Sequence, residues 1–325
     1  MKALLCHAFG EPETLTMGTL ESRAPLAGEV RIRVEACGVN YTDVVMVQGQ
    51  YQTKPPFPFS PGLEVAGEVL EVGEGVTSVT PGQPVMALLN YGGMAEEVCT
   101  PAGLVIPRPA GMSAIDGAAF MVSYGTSHVA LAHRAQMLEG ETLLVLGAGG
   151  GTGLTAVEIG KHMGATVIAC ASTPEKLALA QQYGADHLIN YRSENLREQV
   201  KTITGGRGVN VVYDPVGGGI TELALRSLAW EGRLLVIGFA SGSIPQLPAN
   251  LTLVKNCAVI GVFWGGYTLN NAGVLQRSLR TLLGWYSEGK LKPPVTRTYP
   301  LEQGGAAIDA LWRREAQGKV VVTIP

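Results

Sequence analysis

The chain has 325 residues, 46% hydrophobic and 16% charged, with a formal net charge of −3. That length exceeds one typical domain, so two are expected. The balance of charge leaves no basic footprint for nucleic acid or an anionic membrane, and no run reaches the ~18 apolar residues of a spanning helix.

The opening Met1-Lys2-Ala3-Leu4-Leu5-Cys6-His7 is too short and too soon interrupted for a signal peptide. It reads as a first strand, and a cytoplasmic location is expected. Cys6, Cys37, Cys99, Cys170 and Cys257 are odd in number and form no CxxC pair, which points to reduced thiols rather than disulfides or structural zinc. Residues 1 to about 120 are rich in Val, Gly and Pro. Val30-Arg31-Ile32-Arg33-Val34-Glu35-Ala36 alternates with period two, as a half-buried strand does. The runs 64–73 and 83–88 continue in that style, and this half reads as an all-β barrel.

From about 121 the texture changes to alternating strands and helices. Glu141–Leu146 reads as a buried strand, followed by Gly147-Ala148-Gly149-Gly150-Gly151-Thr152-Gly153 and a helical run from Leu154 to Met163. Strand, glycine turn and helix N-terminus in that order form an anion site, because backbone N–H groups point at a pyrophosphate and absent side chains let it approach. No strict GxGxxG is present; the fitting register is Ala148-x-Gly150-x-x-Gly153. Strands follow at 166–170, 187–190, 209–213 and 233–238, with helices at 174–183, 194–204 and 221–230 between them. Repeated units of this kind imply a parallel sheet. A helix is expected over 272–288, and Val320–Ile324 as a strand returning to the first domain. The expected division is therefore 1–120 plus 261–325 for the barrel and 121–260 for an inserted nucleotide-binding domain.

At this point the chain resembles the medium-chain dehydrogenase/reductase superfamily, within it the zinc-independent quinone oxidoreductase branch. The likeness runs the full length. It rests on Gly38-Val39-Asn40-Tyr41-Thr42-Asp43, Gly49-Gln50-Tyr51, Pro58–Gly67, Tyr124-Gly125-Thr126, the glycine turn, Ile189-Asn190-Tyr191, 212–218 and 238–242. It implies an α/β fold in which a doubly wound Rossmann sheet is inserted in a GroES-like β-barrel domain. Zinc alcohol dehydrogenases carry Cys and His where this chain has Asn40 and Leu63. Those two residues leave too few ligands for a catalytic metal, and Glu64, left without an ion, is expected as a hydrogen-bonded turn carboxylate. Hydride addition to an already electrophilic acceptor fits better than alcohol oxidation.

The end of the second Rossmann strand, Ala169-Cys170-Ala171-Ser172-Thr173, carries no carboxylate to accept the ribose hydroxyls of NAD. A 2′-phosphate needs donors and positive charge. Ser172, Lys176 and Tyr191 match the family's contacts to that phosphate, so NADPH is the expected cofactor, with Glu175 pointing outward. Gly149, Gly150, Gly151 and Thr152 would hold the diphosphate. By the same resemblance Asn40 and Thr126 reach the nicotinamide and its ribose. Gly238, Phe239 and Ala240 would lie beside the cofactor, and Phe263, Trp264 and Gly265 would wall the ring; the other reading of Phe263 and Trp264 is as core or dimer-contact aromatics.

Asn40 and Tyr51 are the residues expected at the chemistry. Tyr51 is the one candidate proton donor, at a place where related enoyl-thioester reductases use a tyrosine; its other reading is a contact only. His128 either faces the acceptor or caps a packed helix. The resemblance implies a homodimer through the strand at 258–263 and a quinone or other conjugated carbonyl as acceptor. The alternative is an enoyl-thioester reductase of the acryloyl-CoA type. A non-catalytic crystallin-like or RNA-binding role is a further rival, which the lack of clustered Lys and Arg opposes.

Overall fold

Alternation at Val30, Ile32 and Val34 buries every second side chain in the first half of the strand Glu29–Val39, its last four residues are all buried, and that strand organises one of two units. A computed structural model describes residues 1–325. It divides the chain into Met1–Val122 with Pro293–Pro325, and Ser123–Lys292.

In the first unit, Glu29–Val39 pairs with Glu64–Val72, with Glu97–Pro101 and with the last strand, Lys319–Thr323. The sheet has seven strands, extended by Pro84–Leu88 and Val105–Pro107 on one side and Val295–Pro300 on the other. Its core includes Ile32, Val34, Val65, Val85 and Val322. The expected return of the chain's end is seen in its antiparallel register, Val320 opposite Val39 and Val322 opposite Cys37. The all-β expectation is corrected: helices Tyr41–Val47 and Ala114–Ala118 belong to this unit. The first begins where Asp43 turns back to accept a hydrogen bond from the Asn40 N–H at 2.7 Å, a start signal hidden among β-branched residues.

The second unit holds a six-stranded parallel sheet. In space its strands run His187–Asn190, Thr166–Ala171, Thr142–Leu146, Val209–Asp214, Leu228–Val236, Ala258–Gly261. In chain order that is 3-2-1-4-5-6, the arrangement of dinucleotide-binding sheets. The core places Leu144, Ile168, Val212 and Leu234 against Leu196, Val200 and Leu225 of the crossing helices.

Two expectations differ here. The helix predicted over 221–230 ends at Arg226, because Leu228 is drawn into the next strand opposite Val209. Residues 261–292, assigned by sequence to the barrel, lie in the second unit instead. The helix Ala272–Ser287 buries Val274, Leu275, Leu279 and Leu282, and its Ser278 bonds to His128, which holds it there. No helix of the protein is long and apolar enough to cross a membrane.

Candidate active site

In a parallel sheet all strands end on one edge, so the segments after those ends assemble without further help. The strand Thr142–Leu146 ends in Gly147, at φ 61°, and Gly150 caps the helix Gly151–His162. A Cβ on Gly153 would sit 2.2 Å from the Gly147 carbonyl oxygen, so helix and strand approach there only without a side chain. Gly150 meets nothing closer than that same oxygen at 3.6 Å and faces open space. The first N–H groups of the helix have no intrahelical acceptor and carry the positive end of its dipole.

A network that sequence reading missed anchors this turn. Ser127 Oγ donates to the Thr152 carbonyl at 3.0 Å and shares bonds with Thr155 Oγ1 at 2.8 Å and Tyr213 Oη at 3.1 Å. Burial pushes the Tyr213 phenol far up, so it stays protonated. Short polar residues inside helices carry no signal of such partners.

The second strand ends at Ala171, and Thr173 caps the helix Pro174–Gln182, its Oγ1 accepting from the Lys176 N–H at 3.4 Å. A Cβ on Gly149 would lie 2.4 Å from Lys176 Cβ and 2.6 Å from its Cγ. The stem of Lys176 therefore crosses the glycine turn, and the glycine admits it. Ser172, Lys176 and Tyr191 are half-buried, and Glu175 is exposed, pointing outward as expected. Glu194, the other nearby acid, is tied to the Asn190 N–H at 2.6 Å.

Further along the same edge, Gly238, Phe239 and Ala240 follow the strand Leu228–Val236. They are held by the Ala240 N–H on the Pro215 carbonyl at 3.1 Å. Thr126 is buried in the helix Met121–His128. One residue away, the Trp264 ring lies on Gly125, where a Cβ would come within 2.6 Å of Cζ2. Trp264 Nε1 is buried with no partner. Phe263 is 59% exposed while Trp264 is 7% exposed, so the two aromatics that sequence grouped together differ in burial. Gly265 continues the short turn Trp264–Gly266. Of the two readings of His128, packing is the one observed: Nδ1 meets Ser278 Oγ at 2.9 Å and the ring stands edge-on to Trp285. Burial lowers this imidazole to about 4, leaving it neutral at physiological pH.

The other candidates lie in the first unit. Asn40 caps the helix Tyr41–Val47. Its Oδ1 accepts from Lys319 Nζ at 2.6 Å, and its Nδ2 donates to Glu64 Oε1 at 3.0 Å and to the Gly38 carbonyl at 3.3 Å. Lys319 Nζ also meets Glu64 Oε1 at 2.6 Å, and Glu64 Oε2 accepts from the Val122 N–H at 2.9 Å. Glu64 was expected to be a hydrogen-bonded carboxylate without an ion beside it; it does accept from Asn40 and the Val122 N–H, and it also forms a buried ion pair with Lys319, which was not foreseen.

Asp43 is fully buried and accepts from the N–H groups of Asn40 at 2.7 Å and Gly62 at 2.9 Å. Burial raises its carboxyl to about 7 against the pull of those bonds and of Lys319. Tyr51 is half-buried, and burial, then the charge of Asp43, raises its phenol above the usual value. Leu63 packs on the barrel core. No three His, Cys, Asp or Glu side chains come together as a metal site would require.

Family profiles match two stretches: residues 26–110 to an alcohol dehydrogenase GroES-like domain and residues 151–282 to a zinc-binding dehydrogenase. Quinone oxidoreductase-like protein 2 of Bos taurus is 41% identical over 324 residues, 99% of this chain and 92% of that one. A quinone oxidoreductase of Escherichia coli, solved with NADPH, is 29% identical with a TM-score of 0.92, covering 99% of this chain and 100% of that one. The CurK enoyl reductase is 27% identical with a TM-score of 0.90, over 100% of this chain and 99% of that one.

Proposed function

Because the chain belongs to the zinc-independent quinone oxidoreductase branch of the medium-chain dehydrogenase/reductases, an oxidoreductase lineage, we propose that it passes hydride from NADPH to quinones or related conjugated carbonyls. The observation that carries this reading is the state of Asn40, Leu63 and Glu64. An amide, an alkyl group and a carboxylate already held by Lys319 do not fit the zinc of a zinc-binding dehydrogenase, so the acceptor must be electrophilic without it.

The residues present do fit NADPH. The first-turn N–H groups after Gly150 would bind its diphosphate, and the open face of Gly150 admits it. Lys176, laid across Gly149, would meet the 2′-phosphate with Ser172 and Tyr191, and no carboxylate stands at the end of the second strand to repel it. Asn40 and Thr126 would orient the nicotinamide end, Gly238–Ala240 would flank it, and Trp264 and Gly265 would bound it. When bound, NADPH supplies the hydride from C4 of its nicotinamide.

Tyr51 would hold a proton near an acceptor carbonyl. A phenol raised by burial stays protonated at neutral pH and can donate a hydrogen bond to a developing oxyanion. That same property favours the second reading, an enoyl-thioester reductase, which the likeness to CurK also supports.

Pairing across the exposed edge strand Ala258–Gly261, with Val259 and Phe263 in contact, would give a homodimer. Five free cysteines accord with a reducing cytosol.

Anaerobic NADPH oxidation with an ortho-quinone and a short enoyl-CoA, run in parallel, tests the proposal. Faster turnover of the quinone is expected. Saturated thioester as the main product would replace it with the enoyl reductase reading.

A further inference from the structure

We propose that Lys319 is a positioning residue for hydride transfer: with Glu64 it locks the Asn40 side-chain amide in one orientation. The inference rests on the reading of Asn40 as a contact to the nicotinamide end of NADPH.

Strand register brings the three residues together. Val320 lies opposite Val39 in an antiparallel pair, so the next position in each strand sets Lys319 across from Asn40. On the other side Glu64 lies opposite Gly38, and a Cβ on Gly38 would fall 2.8 Å from Glu64 Oε1 and 2.0 Å from the Ala118 carbonyl oxygen. The glycine thus opens the space that the carboxylate enters.

The resulting cluster is dry, with the Lys319 and Glu64 side chains 3% and 1% exposed. Burying an ion pair this deeply gives up the hydration of both charges. Two apolar side chains of similar volume would hold the same space at least as well. The pair therefore calls for a role other than packing.

Its geometry supplies one. An amide has two donors on nitrogen and two lone pairs on oxygen. In Asn40 both donors are used, on Glu64 and Gly38, and one lone pair is used by Lys319. Turning the amide over would set its NH2 against an ammonium and its oxygen against a carboxylate, so a single orientation survives. The Asp43 carboxylate fixes the backbone N–H of the same residue. A ligand at this amide would meet an oxygen already polarised by Lys319. Asn40 would then meet the cofactor as an acceptor, held at a set angle.

The test separates stability from position. Lys319→Met alone strands the Glu64 charge and can unfold the barrel, so the informative protein is Lys319→Met with Glu64→Leu. We expect it to melt at or above the wild-type temperature. NADPH Kd should change by no more than about threefold, because the phosphates carry the affinity. Single-turnover hydride transfer to a quinone should fall by about tenfold to a hundredfold, as displacements near 1 Å do. The emission of bound NADPH, which reads the ring's surroundings without turnover, should shift toward that of free cofactor. In an Asn40→Ala background the same double substitution should change neither readout further.

Wild-type turnover and emission in the double variant, or an equal loss in the Asn40→Ala background, would overturn the role of Lys319. Absence of NADPH binding by the wild type would instead overturn the cofactor reading. If the wild type binds NADPH but reduces neither quinone nor enoyl thioester, the emission arm alone decides for or against Lys319.

Discussion

The turn at Gly147–Gly153 is built from backbone, whereas the cluster at Asn40 is built from side chains on strands far apart in sequence. The first works by removing atoms: Gly149 admits Lys176, Gly150 leaves a face open, and Gly153 lets helix and strand touch. The second works by adding charges to a dry interior and satisfying each one. A backbone site tolerates variation in the residues around it and fails when a Cβ is added. A buried polar cluster fails when any one partner is lost.

The largest effect should come from breaking the charged cluster on one side only. Lys319→Met leaves Glu64 buried and unpaired, and should lower the urea stability by ~3–5 kcal/mol. A melt shift smaller than that of an ordinary surface substitution would show the pair to be hydrated.

Glycine substitutions should divide the turn into two kinds of position. Gly153→Ala places a Cβ against the Gly147 carbonyl and should cost about 1–3 kcal/mol of stability, with NADPH binding lost in proportion. Gly150→Ala has room, at a φ of −93°, and should leave the melt nearly unchanged while weakening NADPH. Equal losses of stability in the two would deny that Gly150 faces a ligand.

Lys176→Ala should raise the Kd for NADPH by about tenfold to a hundredfold and leave that for NADH nearly alone, the measure of one charge-assisted bond worth ~1.5–3 kcal/mol. An equal loss for both cofactors would move Lys176 from the 2′-phosphate to the diphosphate.

The smallest effect concerns Glu158, which accepts from Tyr124 Oη at 2.6 Å and from the Lys292 N–H at 3.0 Å. Burial raises its carboxyl from 4.5 to about 7 despite those bonds. A raised folded value favours the protonated form, so its contribution is full below about pH 4.5 and is lost as pH rises through about 7. Urea stability of the wild type should fall relative to Glu158→Gln between pH 5 and 8, by on the order of 1–2 kcal/mol. Parallel curves would mean that the carboxyl is ionised throughout.

The same contrast explains what could be read from the sequence. Glycines, alternating apolar residues and the absent acid after Ala171 act locally, within one strand–turn–helix unit. The parallel sheet followed from them. Lys319 carried no signal, because its partners are set by register between strands 279 residues apart. Ser127 and Tyr213 were hidden for the same reason, as inward-facing groups on separate elements. The stretch 261–292 was misplaced because its helix Ala272–Ser287 is amphipathic in a way either unit could use. Only the burial of Leu275, Leu279 and Leu282 decides between them.

The register of the last strand also orders events in time. While the chain leaves the ribosome, residues 123–292 are complete before Val295–Pro300 and Lys319–Thr323 exist. The topology lets the nucleotide-binding unit fold while the barrel still lacks two strands and Glu64 has no cation. On the proposed role of Lys319, a nascent chain would capture its dinucleotide before it could hold the ring for reaction. A chain stopped before Lys319 should still protect residues 123–292 from protease when NADPH is present, yet transfer no hydride. Protease sensitivity throughout, with the cofactor present, would show that the two units fold together.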